Sequence, residues 1–235
     1  VDAAPGVRLE STWPFMFHLS PIRMAARPDG GSVVAWTAVD GRVHVTTLDA
    51  QDRRTGADVI ARGDEVVGVV AEDDGFTLLS HRTSTAPAAL GGAFGPDAAV
   101  HLTRYRDGQP VFDVKVIGDQ PPATNFPGSK WIDNSREGRL ARWNSFYAVF
   151  IGHTQRWPDD IGHQGDLLRA YDAAGRRIEG PGWEWGCSHS LDLRLAAGSR
   201  YLATACLSDG YPAHGIGVSL VPVDGYVRQL IARED

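Results

Sequence analysis

Histidine side chains are the groups in this chain best suited to chemistry. The chain has 235 residues and eight histidines. His18 and His189 occupy the same place in two related segments, His18–Ala26 and His189–Ala197, each five positions before an arginine. A neutral imidazole is the commonest metal ligand and a frequent general base. We therefore expect the histidines to hold a metal ion, move a proton, or do both.

The elements that position these histidines are short β-strands arranged in repeats. Short alternating apolar runs are separated by Asp-Gly, Pro-Asp-Gly and Ala-Gly turns, which is typical of antiparallel β structure. Alignment on the arginine of the repeated segment gives four units of four strands, at about 18–62, 63–120, 131–183 and 186–233. The last strand of the third unit is predicted at Arg177–Glu179.

Repetition of four-strand units with a base period near 45 resembles β-propeller repeats of the WD40-like or YVTN-like kind. The resemblance implies an all-β protein, a β-propeller with four blades of four antiparallel strands in one domain over residues 1–235. A half of a larger ring, completed by a second copy or another chain, is the other arrangement it allows. A β-sandwich is the alternative fold.

In a propeller, the start of the first strand and the end of the second strand of each blade lie at one mouth of the channel. This places six histidines on one rim, directly or on loops that leave it, and we expect a divalent metal there, a transition metal rather than calcium. His44 and His101, in the third strands, are expected elsewhere. The predicted metal ligands are His18, His81, His153, His163 and His189.

The same rim provides candidates for binding and catalysis. Trp157 and Tyr211 lie in connecting segments, where aromatic rings suit a small molecule or a glycan. A propeller hydrolase or lyase acting on polysaccharide or peptide would use His189 or His153 as its general base. A ligand-binding protein is the leading interpretation. An enzyme and a structural or assembly subunit are the alternatives.

Arginine and aspartate recur at fixed places in the repeats. The arginines are Arg23, Arg139 and Arg194, and the aspartates are Asp49, Asp172 and Asp224. Recurrence of both charges predicts an Arg–Asp pair that braces each blade. The alternative is an anion-binding role for the arginines, with Arg23 and Arg194 contacting the ligand.

Composition excludes some partners. The net charge is −6 with no basic stripe, which argues against nucleic-acid binding. No apolar run approaches the length of a membrane-spanning helix. The two cysteines, Cys187 and Cys206, are predicted to form a disulfide between adjacent strands, although two buried thiols fit as well. A disulfide indicates a secreted or periplasmic protein, expected to be of bacterial type. The preference for arginine over lysine indicates a GC-rich genome.

Overall fold

The computed structural model is all-β. It describes residues 22–82, 99–117, 130–132, 138–156, 162–178, 191–208, 215–222 and 228–233, and these form sixteen strands in four sheets. None of the described segments forms a helix with the length and apolarity needed to cross a membrane. The strands fall into two compact units, Val1–Val116 and Ile117–Asp235.

The first unit contains two antiparallel meanders, in which each strand pairs with the next along the chain. Sheet 1 consists of β1 (Ile22–Ala26), β2 (Ser32–Thr37), β3 (Val43–Leu48) and β4 (Val59–Ala61). Sheet 2 consists of β5 (Glu65–Glu72), β6 (Gly75–Arg82), β7 (Ala99–Arg106) and β8 (Gln109–Ile117). Strand β5 packs against β1 and β2, so the two sheets share one core.

The second unit also contains two four-stranded sheets. Sheet 3 consists of β9 (Lys130–Ile132), β10 (Gly138–Trp143), β11 (Phe146–Arg156) and β12 (Gly162–Tyr171). Sheet 4 is a meander of β13 (Leu191–Ala197), β14 (Tyr201–Ser208), β15 (Gly215–Pro222) and β16 (Arg228–Arg233). Strand β13 packs against β10 and β11.

Four sheets of four antiparallel strands confirm the predicted fold class, an all-β protein of β-propeller type. Each sheet falls within one of the four predicted repeat units to within one residue, since β9 begins at Lys130 and the third predicted unit begins at residue 131. The single-domain boundaries, and the completion of a larger ring by another chain, stay predictions.

The fourth strand of sheet 3 differs from the prediction. Arg177 makes only an isolated bridge to Tyr171, so the described part of Arg177–Glu179 forms no strand. The fourth strand of the sheet is instead β9. It pairs with Thr154–Arg156 of β11, on the same edge of β11 where β10 pairs with Phe146–Ile151. Strands β9 and β10 are thus two segments of one row.

The turn that leaves the third strand explains this bridge. The Asp172 carboxylate accepts hydrogen bonds from the backbone N–H groups of Ala174 and Arg176, both at 2.9 Å, and from Arg176 Nε at 2.7 Å. These bonds close the chain into a tight turn directly after β12. The backbone N–H of Arg176 contributes most to lowering the pKa of the Asp172 carboxyl group.

Sheet 1 contains the same turn, as the repeated sequence Asp49–Arg54 suggests. Asp49 accepts from the N–H groups of Gln51 and Arg53 and from Arg53 Nε, each at 2.9 Å. Asp52 has a φ of 58°, and Gly175 at the matching position of sheet 3 has a φ of 78°. Aspartate and glycine are among the residues that tolerate this left-handed conformation.

The core of the first unit fixes sheet 2 on sheet 1. Phe76 and Tyr105 stack at 4.9 Å inside this core, and the Tyr105 hydroxyl accepts a hydrogen bond from the backbone N–H of Arg62 at 2.8 Å. The Thr37 hydroxyl, at the end of β2, accepts from the backbone N–H of Val66 at 3.0 Å. Buried backbone donors need such partners, so the connection from β4 to β5 has a defined path.

The strand pairing at Gly75 leads to a stability prediction. A Cβ atom at this position would overlap the carbonyl oxygen of Tyr105 on the neighbouring strand, whereas one at Gly56 would meet nothing within 4 Å. We expect Gly75→Ala to lower the free energy of unfolding by about 2 kcal/mol or more. Gly56→Ala, the matched control, should change it by no more than about 0.5 kcal/mol. Denaturant titration measures both values, and equal stabilities would contradict the structure.

Candidate functional site

Histidines concentrate at one end of sheets 1, 2 and 3. This is the end where β2, β6 and β11 stop and where β3, β7 and β12 begin. We call this the histidine end. All five histidines in the described residues lie within four residues of it: His44, His81, His101, His153 and His163. The prediction that His44 and His101 lie elsewhere is therefore wrong. The third strand of a meander starts beside the end of the second, so its first residues belong to the same end.

In the first unit, the histidine ends of both sheets are neighbours. The bond from Val66 to Thr37 joins the start of β5 to the end of β2. Val66 in turn pairs with Ser80, close to the end of β6. The residues at these two ends therefore share one side of the unit.

Several predicted site residues lie outside the described residues. These are His18, Trp157, His189 and Tyr211, together with Cys187. Their roles stay predictions. Cys206, the expected disulfide partner of Cys187, is buried in the core of the second unit.

The backbone of sheet 3 brings two predicted metal ligands to neighbouring positions. His153 pairs with Gly165, and His163 pairs with Gln155. The two histidines are thus diagonal neighbours on adjacent strands and belong to the same face. Diagonal positions lie about 7–8 Å apart, which long side chains span.

His81 occupies a fully buried position on β6. It pairs with Glu65 on one side and Val100 on the other, and Glu65 is also buried. Within the described residues, no group of three or more histidine, cysteine, aspartate or glutamate side chains is arranged to hold a metal ion. The metal role of His81 therefore stays a prediction.

In sheets 1 and 3, the recurring aspartates do not pair with the recurring arginines, and Asp224 lies outside the described residues. Asp49 and Asp172 accept their side-chain bonds from Arg53 and Arg176, within their own turns. Arg23 instead donates from Nε to the carbonyl of Val67 at 2.8 Å, which links β1 to β5.

The first-strand arginines repeat a different contact. Arg23, Arg139 and Arg194 each donate from Nη1 to the carbonyl of the preceding residue, at 3.0, 2.8 and 3.2 Å. The repeat position therefore has a backbone contact in common. The predicted ligand contacts of Arg23 and Arg194 stay predictions.

The most developed polar constellation centres on Asp113 in β8, and we call it the Asp113 cluster. Its Oδ2 atom accepts from Arg82 Nη1 at 2.6 Å and from Arg62 Nη1 at 3.3 Å. Its Oδ1 atom lies 2.9 Å from His101 Nδ1 and accepts from the Thr103 hydroxyl at 3.2 Å. Arg82 Nη2 also donates to the Thr103 hydroxyl at 2.6 Å.

Strand register explains why these groups meet. Arg82 pairs with Ala99, and His101 pairs with Ser80, so Arg82, His101 and Thr103 share one face of sheet 2. The turn at Asp107–Gly108 folds β8 back beside β7 and carries Asp113 to that face. Arg62 arrives from the connection between sheets 1 and 2.

Burial and charge set the protonation of the cluster. Burial alone would raise the pKa of Asp113, but hydrogen bonds from Arg82 and His101 outweigh it and lower that pKa to about 2. Burial lowers the pKa of His101 below its usual 6.5, although the bond to Asp113 opposes this. The imidazole is therefore neutral at pH 7. Its Nδ1–H donates to Asp113, and its Nε2 is left as an acceptor.

His44, the sheet 1 equivalent of His101, has a different environment. It stacks on Trp36 at 5.6 Å between ring centroids, and its Nε2 lies 3.0 Å from Asp40 in the β2–β3 turn. Only 6% of the His44 side chain is exposed, against 19% of the His101 side chain. In sheet 2, Ser80 replaces the tryptophan, and residues 83–98 replace the short turn. The equivalent histidine is therefore more exposed in sheet 2 than in sheet 1.

Comparisons with known proteins give no assignment at the level of sequence. No protein-family model and no curated protein matches the chain. Among solved structures, the chain is similar to a computationally designed protein, Ika4, with 16% identity, a TM-score of 0.36 and coverage of 96% of this chain and 98% of that one. The assignment of the fold rests on the sheets described above.

Glycoside hydrolases are also among the similar structures. A GH32 beta-fructofuranosidase from Bombyx mori has 14% identity and a TM-score of 0.38, over 88% of this chain and 50% of that one. The chain thus spans half the length of that enzyme. A GH43 endo-arabinanase from Bacillus licheniformis has 9% identity and a TM-score of 0.28, over 95% and 99% of the two chains.

The electrostatics of the Asp113 cluster can be measured by titration. We expect nuclear magnetic resonance to give His101 a pKa below 6.5, because burial disfavours the imidazolium. In Asp113→Asn that pKa should fall further, because the carboxylate is the main group that opposes the shift. The denatured protein provides the reference value. A folded-state pKa at or above the reference, or an increase in Asp113→Asn, would contradict this arrangement.

Proposed function

We propose that this chain is a ligand-binding protein of β-propeller type, which binds a small molecule or a glycan at the histidine end of its sheets. The observation that carries the proposal is the position of all five histidines in the described residues at that end. Strand ends and connections on one side of a repeat are where the binding residues of repeat proteins usually lie, and each compact unit has histidines there.

The connections at the histidine end support the same proposal. Residues 83–98 link β6 to β7, whereas the corresponding link in sheet 1, between β2 and β3, is the short turn that contains Asp40. Long connections on a rigid scaffold are where binding residues usually occur. Trp157 and Tyr211 belong to other connections at this end, and we propose that their rings contact the ligand.

We further propose that histidines of this end hold a divalent metal ion. His153 and His163 are diagonal neighbours on adjacent strands, a spacing that suits two ligands of one ion. His189, which belongs to the same compact unit, would supply the third nitrogen, whereas His18 and His81 are the candidate ligands in the first unit. A site built from imidazole nitrogens favours a transition metal such as zinc over calcium, which prefers oxygen ligands.

Metal analysis tests this proposal. We expect the purified protein to hold one transition-metal ion per chain. The double variant His153→Ala/His163→Ala should lose affinity by about 100-fold or more, since loss of a mere supporting residue already costs 10–100-fold. His189→Ala should also weaken binding. His44→Gln is the matched control, because His44 is stacked and bonded within sheet 1. An absence of stoichiometric metal would refute the proposal.

A hydrolase or lyase is the second candidate function, and one observation favours it. The His101–Asp113 pair, at 2.9 Å, has the arrangement of a general base and the carboxylate that orients it. His189 and His153 remain the other candidates for the base. Turnover of a polysaccharide or peptide that disappears in His101→Gln, with binding retained, would identify an enzyme. Binding without turnover identifies a binding protein.

We also propose that Cys187 and Cys206 form a disulfide and that the protein is exported to an oxidising compartment, secreted or periplasmic. The burial of Cys206 supports a structural rather than a reactive role for its sulfur. We expect no reaction with a thiol-alkylating reagent under denaturing conditions without reductant, and two modified cysteines after reduction. Mass spectrometry counts the modifications, and alkylation before reduction would refute the bond.

A further inference from the structure

We propose that the Asp113 cluster binds a small carboxylate with a neighbouring hydroxyl group, either a free hydroxy acid or a uronic acid at the end of a glycan. The proposal concerns sheet 2 alone and does not depend on a metal ion. It follows from two groups beside Asp113, the hydrogen-bond donor Arg62 and the acceptor His101. Each has hydrogen-bonding capacity that the described residues do not use.

The donor is the Arg62 guanidinium. Its only side-chain partner in the described part of the chain is Asp113, at 3.3 Å, and 61% of the side chain is exposed. Asp113 is already neutralised by Arg82 at 2.6 Å. The charge of Arg62 is therefore in excess, and its remaining N–H groups form a fork that a carboxylate accepts in bidentate fashion.

The acceptor is Nε2 of His101. The neutral ring donates from Nδ1 to Asp113, and none of the described residues hydrogen-bonds to Nε2. A ligand hydroxyl can donate to this nitrogen. Arg62 contacts Oδ2 of Asp113 and His101 contacts Oδ1, so the two binding groups flank one carboxylate. A ligand with a carboxylate and a hydroxyl one or two carbon atoms away would offer one group to Arg62 and the other to His101.

The backbone beneath Arg62 is held before any ligand arrives. Its N–H donates to the Tyr105 hydroxyl at 2.8 Å, and its carbonyl accepts from the Ser80 hydroxyl at 3.0 Å. A Cβ atom on the next residue, Gly63, would lie 2.7 Å from Ser80, so this segment packs closely on sheet 2. Anchoring reduces the entropy lost on binding.

The charges favour a carboxylate over a phosphate. Two guanidinium groups and one carboxylate leave a single positive charge in the Asp113 cluster, which a monoanion neutralises, and Lys115 is a further cation near His101. A phosphate dianion would bring more negative charge beside Asp113 than a carboxylate does. A neutral sugar would leave the charge of Arg62 unmatched.

Calorimetry on chelator-treated protein tests the proposal separately from the metal site. The probes are glycolate, glucuronate, acetate, glucose and inorganic phosphate. We expect glycolate or glucuronate to bind. Acetate, which lacks the hydroxyl of glycolate, and glucose, which lacks the charge of glucuronate, should bind about tenfold more weakly or worse. Binding of both acids indicates that the site accepts a free hydroxy acid as well as a uronate terminus. Binding of glucuronate alone indicates a uronate terminus of a glycan.

Variants locate the site. Arg62→Gln and His101→Phe should each reduce the affinity by about tenfold or more. Arg42→Gln is the matched control, because Arg42 also pairs with an aspartate beside a histidine, but in sheet 1 the Nε2 atom of His44 is occupied by Asp40. Circular dichroism confirms folding. Equal losses in Arg42→Gln and Arg62→Gln, stronger binding of phosphate, or no saturable binding of either acid would overturn the proposal.

Discussion

Antiparallel pairing between the second and third strands is the constraint on which the candidate site depends. In a meander, the end of one strand and the start of the next are neighbours whatever the length of the connection between them. Residues 83–98 can therefore extend the link between β6 and β7 while Arg82 still pairs with Ala99. The pairing holds Arg82 and His101 on one face. Sheet 2 thus combines a fixed pair of strands with a long connection.

The repeats made much of the fold predictable. Turn residues at regular places, such as Asp73-Asp74-Gly75 and Asp107–Gly108, marked the hairpins, and apolar alternation gave the strands between them. The row formed by β9 and β10 could not be foreseen, because Lys130–Ile132 is short and its pairing with β11 depends on contacts distant in sequence. Short strands carry too few residues for periodicity to identify them.

Sequence equivalence predicted that His44 and His101 occupy matching places in their third strands, but it predicted neither the end of the sheet where they lie nor their environments. Both lie near the start of a third strand, but Trp36 covers the first ring and Ser80 leaves the second accessible. The partners differ as well, since Asp40 belongs to a local turn and Asp113 to the next strand. Repeats preserve the backbone position, whereas the neighbouring side chains decide whether a histidine is structural or available.

The aspartates likewise differ between those that stabilise a turn and the one at the candidate site. Asp49 and Asp172 accept hydrogen bonds from residues two and four positions later, so each stabilises its own turn. The lowered pKa of each carboxyl group reflects these local bonds. Asp113 takes its partners from β6, β7 and the connection before β5. Asp113 closes no turn of its own, and the two guanidinium groups around it carry more positive charge than its carboxylate neutralises. The range of its partners in sequence therefore separates the aspartate at the candidate site from the repeated aspartates, although all three have lowered pKa values.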